Sequence, residues 1–589
     1  MEFIAHNLAP IMFAGLICFL LVGFPVAFSL GACGLFFAFI GIELNVLPEA
    51  LLQALPLRIY GIMQNDTLLA IPFFTLMGLI LERSGMAEDL LDTIGQLFGP
   101  IRGGLALAVI FVGALLAATT GVVAASVISM GLISLPIMLR YGYDRRLAAG
   151  VIAASGTLAQ IIPPSLVLII IADQLGRSVG DMYKGAFLPG LMLTGFYALY
   201  VILLAVIKPQ WVPALPPEAR TLREDNGKSG VPSLLVLTAI CTAASIYVAK
   251  NMPALHTWWS GEAVDKVALD ETIVVSMCFG VALAFVAASF NKITRLGLLS
   301  RAAERVTFAL IPPLLLIFLV LGTIFLGVAT PTEGGAMGAL GAIIMAVIRG
   351  RLSMSLLKQA LNTTTKLSCF VVFILVGATI FGLTFQGVDG PLWVEHLLSG
   401  LPGGQLGFLI VVNIMVFFLA FFLDFFELSF IVVPLLAPVA DKLGIDLIWF
   451  GVLLAINMQT SFMHPPFGFA LFYLRSVAPA KEYMDKVTKK MIAPVTTTQI
   501  YWGAIPFLCI QILMVVLVIT FPGIVSSGLD KAEVYDLDKV RLEMEANMPA
   551  PMEQADPTAG MPGSEAPAAE DDPLKAMQES LSQDAEKKN

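Results

Sequence analysis

Charge is what this chain has least of. Asp, Glu, Lys and Arg make up 13% of its 589 residues, against roughly 25% in a soluble domain. A water-facing surface needs about twice that supply, which excludes a soluble enzyme, a nucleic-acid binder and a secreted module. Cysteine is also sparse: Cys18, Cys33, Cys241, Cys278, Cys369 and Cys509 stand singly in apolar stretches. No pair has redox or metal-ligand spacing, so they read as small buried hydrophobes. The four histidines (His6, His256, His396, His464) lie far apart, without a His-Glu-x-x-His motif, which leaves a membrane-embedded metalloenzyme without ligands. Gly227-Lys228-Ser229 copies the end of a phosphate loop, but Leu222 stands where that motif needs glycine. The start, Met-Glu-Phe-Ile, lacks the basic stretch of a cleavable signal peptide, so the first helix is expected to stay.

What is present is apolar: 58% hydrophobic residues and a mean hydropathy of +0.88. Runs near 8–22, 26–42, 67–82, 185–207, 231–249, 272–290, 307–328, 334–348, 362–386 and 498–522 recur at about membrane-crossing length. They make this a polytopic helical membrane protein. The net charge of -9 sits wholly in 527–589, where fifteen acids face six bases. That tail is rich in Pro and Ala and poor in aromatics, and it is expected to be disordered. Gly103–Leu139 runs 37 residues without a charge, too long for one crossing at about 1.5 Å per residue. Its small, polar middle, Ala118-Thr119-Thr120-Gly121, favours a break. A re-entrant helical hairpin is expected there, with two short crossing helices as the other reading. Basic residues cluster at Arg140/Arg145/Arg146, Lys292 to Arg305, Arg349/Arg351/Lys358 and Lys481/Lys486/Lys489/Lys490. The positive-inside rule makes these loops cytoplasmic, and both chain ends then fall on the opposite side.

The second half echoes the first. Setting Pro163-Pro164 on Pro465-Pro466 aligns Val151–Ser165 with Leu453–Gly468 at an offset of 302, and Pro25 matches Pro331 at 306. A hairpin candidate precedes each Pro-Pro: Gly103–Leu139, then Gln405–Ala440. The loop after the first is basic and the loop after the second (Asp441, Lys442, Asp446) is not, so the halves are inverted. The expected fold is therefore all-α and polytopic, with two inverted repeats, re-entrant helical hairpins and broken helices. Such repeats mark secondary transporters. A broken helix frees carbonyls for a cation and presents N-terminal N–H groups to an anion. Non-helical backbone at membrane depth survives only inside protein or along a cavity.

Several segments carry a family resemblance: Asn65-Asp66-Thr67 through Ala70-Ile71-Pro72-Phe73-Phe74, Gly142-Tyr143-Asp144, Gly156-Thr157 and Ile162-Pro163-Pro164-Ser165. Thr330-Pro331-Thr332-Glu333 follows, then Asn457 with Pro465-Pro466-Phe467-Gly468. In this order, over most of 1–525, the chain resembles the large (DctM-like) membrane subunit of tripartite ATP-independent periplasmic (TRAP) transporters, in a long form. The resemblance implies sodium-coupled import of an organic acid, such as a C4-dicarboxylate, across the bacterial inner membrane. It implies two partners, a small four-helix membrane subunit (DctQ-like) and a periplasmic substrate-binding protein (DctP-like), and no cofactor beyond sodium as coupling ion. It also implies an elevator-type transporter. The expected parts are scaffold helices at 1–98 and 307–404, moving hairpins with broken helices at 99–184 and 405–497, a connecting helix plus insertion with two extra spans at 185–306, a last membrane helix at 498–526, and the tail at 527–589. Where the family often has a Ser-Gly-Ser hairpin tip, this chain has Thr119-Thr120-Gly121. A stand-alone sodium/anion symporter or antiporter of related build is the alternative.

Sodium takes about five or six oxygens, by analogy with other hard cations. Thr119, Thr120, Gly121, Ser155, Gly156 and Thr157 are the first-repeat candidates for it, and Asp424, Asn457, Gln459 and Ser461 the second-repeat ones. Asp424 lies between two apolar arms, where a bound cation would offset the cost of its charge. For an organic anion the candidates are Pro163, Pro164, Ser165, His464, Pro465 and Arg475. Ser165 either binds a carboxylate or caps its own helix. Glu333 and Asp66 are expected to be structural, and Asp173 and Arg177 to pair across one helical turn.

Overall fold

In a computed structural model of the protein, residues 2–529 are described apart from Val122, Arg223, 225–229, 262–266 and Lys486. The acidic tail beyond 529, Gly227-Lys228-Ser229 and the side chains of Thr119 and Thr120 lie outside the described residues.

Within lipid the backbone must satisfy its own hydrogen bonds, so the apolar runs fold as helices. The first repeat holds α1 (Leu8–Val22), α2 (Val26–Glu43), α3 (Ala70–Arg83), α4 (Met86–Phe98), the hairpin pair α5 (Gly104–Thr120) and α6 (Val123–Arg140), α7 (Arg145–Thr157), α8 (Leu166–Gln174) and α9 (Val179–Ile207). The insertion supplies α10 (Val231–Lys250) and α11 (Leu269–Thr294). The second repeat holds α12 (Arg301–Phe325), α13 (Pro331–Ile348), α14 (Met354–Gly387), α15 (Gly390–Ser399), α16 (Gly404–Leu419), α17 (Val433–Lys442), α18 (Leu447–Thr460), α19 (Phe469–Val477) and α20 (Thr497–Thr520). A turn at Phe425–Glu427 and a π-helical turn at Leu428–Val432 lead into α17. A two-residue strand pair, β1 (Tyr483–Met484) and β2 (Met491–Ile492), is the one sheet among the described residues.

Nine described helices are long and apolar enough to cross a membrane, or eleven if two bent pairs each count as a span. One pair joins Glu49–Met63 to Asp66–Arg83 at 48°, the other Gly390–Ser399 to Gly404–Leu419 at 115°. The first differs from the single run read at 67–82. Asn65 stops the incoming helix and caps the next turn by accepting the Thr67 N–H at 3.0 Å.

The packing is reciprocal. α2 of the first repeat lies on α14 of the second, and α13 of the second lies on α3 of the first. Likewise α4 packs on α12 while α15 packs on α1, and α7 packs on α20 while α18 packs on α9. Equivalent elements exchanging partners is what a two-fold relation requires. The sequence repeat is thus a structural one. α10 and α11 stand outside this scheme, packed on each other and on α12.

Candidate functional site

The helices that reach the site are launched alike. Gly142-Tyr143-Asp144 and Gly444-Ile445-Asp446 stand 302 residues apart. Both glycines adopt positive φ (82° and 70°), where a side chain would be strained. The next N–H closes back five residues in each, Tyr143 to Met138 and Ile445 to Ala440. Asp144 then accepts the N–H groups of Arg146 and Leu147, and Asp446 that of Trp449, so each caps its helix. This repeated Gly-x-Asp was a sequence signal for the register that the Pro-Pro alignment alone did not use.

Each launched helix ends at a Pro-Pro, and both Pro-Pro bonds are cis. Proline has no N–H, so the carbonyls of Ala159 and Ser461, again 302 apart, lose their helical donor. The next carbonyl is recaptured in both repeats: Ser165 Oγ donates to Gln160 O (2.5 Å), and Ala470 N–H donates to Phe462 O (3.1 Å). Ser165 Oγ also accepts from Leu168 N–H at 3.4 Å, so it both closes the break and caps α8.

The breaks meet at one contact. Gln459 Nε2 donates to Thr157 Oγ1 at 3.1 Å, and these residues too are 302 apart. Equivalent residues touching places the pseudo-two-fold axis between them. Gln511 of α20 donates to the same Thr157 oxygen (3.3 Å) and to Tyr197 Oη of α9 (2.9 Å). All four side chains are fully buried. Ser155 Oγ, Gln459 Oε1 and both polar atoms of the Gln160 side chain are buried without a hydrogen-bond partner among the described residues. Asn457 sits apart from this cluster, donating to Asn413 O (2.8 Å) and Oδ1 (3.0 Å) on α16. Ser461 Oγ donates to Met458 O at 2.6 Å. Gly156 admits no side chain: a Cβ there would stand 2.3 Å from Val127 Cγ2 and 3.2 Å from its backbone nitrogen.

A cavity of about 260 Å³ opens beside the breaks. Gly121 and Val123 reach it from the first hairpin tip, Leu166 from the start of α8, Asp424 to Phe426 from the second hairpin tip, and Phe469 from the start of α19. Four helix N-termini thus converge on one space. Asp424 is the single charged residue among its described lining. Its carboxylate accepts the Glu427 N–H (3.0 Å) while Glu427 Oε2 accepts the Asp424 N–H (2.9 Å), a reciprocal capping box. Glu427 was missed in the sequence although Asp424-Phe-Phe-Glu427 spells that box.

The other candidates lie elsewhere. Arg475 does not line the cavity; its guanidinium donates to Val495 O at 2.7 Å. His464 is buried, its ring 4.1 Å from Phe417 and 4.3 Å from Phe421, with neither ring nitrogen hydrogen-bonded among the described residues. Pro163, Pro164 and Pro465 shape the breaks and do not line the cavity. Glu333 closes a capping box with Thr330. Asp173 and Arg177 do not pair with each other. Asp173 accepts Asn65 Nδ2 at 2.7 Å and Arg177 approaches Asp441 at 3.8 Å, because α8 ends at Gln174 and Gly176 turns the chain at φ 61°.

Among known proteins, the family described as "Tripartite ATP-independent periplasmic transporter, DctM component" matches residues 13–264 and 267–524. The C4-dicarboxylate TRAP transporter large permease protein DctM of Rhodobacter capsulatus is 27% identical over 79% of this chain and 89% of its own length. The isethionate TRAP transporter permease protein DctMQ of Oleidesulfovibrio alaskensis is 26% identical over 82% of this chain and 63% of its own. The sialic acid TRAP transporter large permease protein SiaM of Vibrio cholerae is 24% identical over 78% and 87%. Since that family match spans both repeats, both hairpins and both Pro-Pro breaks, the chain belongs to the DctM family, the large permease component of tripartite ATP-independent periplasmic transporters.

Proposed function

We propose that this subunit imports an organic acid across the bacterial inner membrane, coupled to sodium, by an elevator movement. Its partners are a small four-helix membrane subunit and a periplasmic substrate-binding protein. The observation that carries this reading is the convergence of four helix N-termini on a cavity with one carboxylate and no cationic side chain among its described lining. Each helix N-terminus carries about half a positive charge and favours an anion. Asp424 alone would repel that anion. A sodium ion beside Asp424 removes the conflict, so the loaded cation becomes a condition for binding the acid. The freed carbonyls of Ala159 and Ser461, with Ser155 Oγ and Gln459 Oε1, supply the oxygens such ions need.

In the elevator, hairpins and broken helices move against the outer helices. Side-chain hydrogen bonds link these parts, among them Asn65 Nδ2 to Asp173 Oδ1 (2.7 Å) and Ser129 Oγ to Glu82 Oε1 (2.5 Å). Both lie at ends of the 66–83 arm, and the stroke breaks them.

The test is uptake of radiolabelled organic acids into liposomes holding both membrane subunits, under an inward sodium gradient, with and without the periplasmic protein. Uptake that needs sodium and that protein is expected. Sodium-driven uptake that ignores the protein would establish a stand-alone symporter instead, and uptake indifferent to sodium would refute the coupling.

A further inference from the structure

The hydroxyl of Thr157 has no bonding capacity left. A threonine hydroxyl donates one hydrogen bond and accepts at most two. Thr157 Oγ1 donates to Ala154 O at 2.9 Å, back along its own helix, and accepts from Gln459 Nε2 (3.1 Å) and Gln511 Nε2 (3.3 Å). Every position is taken, so this oxygen has no lone pair to give a cation. With its proton spent on Ala154, Thr157 offers its neighbours lone pairs alone, and each glutamine must meet it nitrogen first. That fixes both amides. Gln511 uses its second N–H on Tyr197 Oη at 2.9 Å. The oxygens on the far side of the amides, Gln459 Oε1 and Gln511 Oε1, are buried with no hydrogen-bond partner among the described residues. Folded proteins rarely leave buried acceptors open, because each forfeits the hydrogen bond it made to water.

We infer that Thr157 is a positioning residue and not a sodium ligand: it turns the Gln459 amide so that Oε1 serves sodium at the second break, and Gln511 locks Thr157 in that role. The inference rests on the sodium coupling proposed above. A flipped Gln459 amide would set its oxygen against the lone pairs of Thr157 and offer the ion N–H groups instead. Orientation therefore decides whether Gln459 can serve at all. In the correct one, a neutral amide oxygen suits a hard cation, and Gln459 stands two residues before Ser461, whose carbonyl the Pro-Pro pair frees. The residue that orients this ligand comes from the other repeat, and the residue that locks it comes from α20, outside both breaks. One half of the molecule thus sets the cation site of the other, across the pseudo-two-fold axis.

The test is a double-mutant cycle read by binding of radiolabelled sodium to the purified complex of both membrane subunits, with choline balancing the salt. Thr157→Val should raise the sodium concentration for half-saturation by about three- to tenfold, the worth of one hydrogen bond. Thr157→Ser, which keeps the oxygen, should restore the parent value. Gln459→Leu should weaken sodium at least as much. Adding Thr157→Val to it should change nothing further, because a residue that acts through Gln459 has no effect once Gln459 is gone. Gln511→Met, close in volume, repeats the cycle from another helix should Thr157→Val not fold. Alone it should weaken sodium by a smaller factor than Thr157→Val, and beside Gln459→Leu not at all. Losses that multiply in the double variants would make Thr157 a ligand in its own right and overturn the assignment. Unchanged sodium affinity with a lowered Tm would reduce the network to packing. Failure of the underlying reading looks different: then the parent complex shows no saturable sodium binding.

Discussion

One residue before the end of α7, the first repeat has a contact that the second does not. Gly156 lets α7 lie directly on α6, with no room for a Cβ beside Val127. The position 302 residues later is Met458, whose sulfur accepts a hydrogen bond from Ser429 Oγ at 3.7 Å. Around it the second repeat is built of large side chains, with His464 between Phe417 and Phe421 and Phe462 beside the cavity. The first repeat is closed by small residues and the second is filled by adaptable ones. What the repeats share is backbone instruction, Gly-x-Asp and Pro-Pro. What separates them is chemistry: of the two tips only the second carries an acid, since Val122 stands in the sequence where Asp424 stands 302 residues on. The pseudo-symmetry makes the breaks, and the asymmetry makes the site.

The largest effect should come from removing the one charged group that breaks the symmetry. Asparagine caps a helix as well as aspartate, so Asp424→Asn keeps the turn and deletes the charge. Losing one partner of a buried charge pair costs about 2 kcal/mol or more. Sodium-dependent uptake should therefore fall by about thirtyfold or more. Glu427→Gln, which keeps a side-chain acceptor for the Asp424 N–H, should cost far less. Equal losses would mean the pair acts through its capping box rather than through charge.

Next comes the packing contrast itself. Gly156→Leu must force α7 off α6, and overpacking of this kind costs about 1–3 kcal/mol. Met458→Leu is close to volume-conserving and should cost less than about 1.5 kcal/mol. Thermal unfolding of the purified variants compares the two. If both fall alike, the tight first repeat and the adaptable second one are not distinct. The helix caps sharpen the same comparison more finely. Asp144 accepts two N–H groups and Asp446 one, and loss of a cap costs about 0.5–2 kcal/mol. Asp144→Ala should therefore destabilise more than Asp446→Ala. A reversed order would show that burial, not capping, sets the cost.

Much of this was legible because it is written in local signals. A 37-residue uncharged run with Thr-Thr-Gly in its middle can only turn back on itself, and it does so at Gly121, which sits at φ 58°. Two Pro-Pro pairs cannot continue a helix. Other features depend on residues that only the folded chain brings together. A run of ring contacts joins positions 370, 425, 426, 462 and 469, and no periodicity links them. Thr157 meets Gln459 only because the axis passes there. Arg475 is near a break in sequence, yet the chain's return through Val495 holds its guanidinium. The short helices Glu49–Met63 and Gly390–Ser399 escaped because neither is a full apolar span, and each matters only as one arm of a bent pair.

The smallest predicted effect concerns a tie that uses a second-repeat segment with no first-repeat counterpart. After α8 four residues lead to α9, whereas after α19 residues 478–496 intervene and carry the β1–β2 pair. Within it, buried Asp485 holds Arg140 at the end of α6, Oδ1 to Nε at 3.0 Å. Burial pushes the Asp485 carboxyl up, but the Thr488 N–H and hydroxyl (both 2.7 Å) and the Arg140 guanidinium outweigh it and leave it below the usual carboxylate range. A carboxylate whose folded pKa is depressed stabilises above its unfolded value, about 3.9, and that stability is lost as pH falls through the folded value. Asp485→Asn should therefore lower stability by about 1 kcal/mol near neutral pH, seen as a lower Tm. The gap between variant and parent should hold from about pH 8 to 5 and narrow below about pH 4. A gap that stays constant down to the acid limit would assign the tie to hydrogen-bond geometry rather than charge. Asp485 would then be a loop-closing residue of the second repeat and no electrostatic link to the first hairpin.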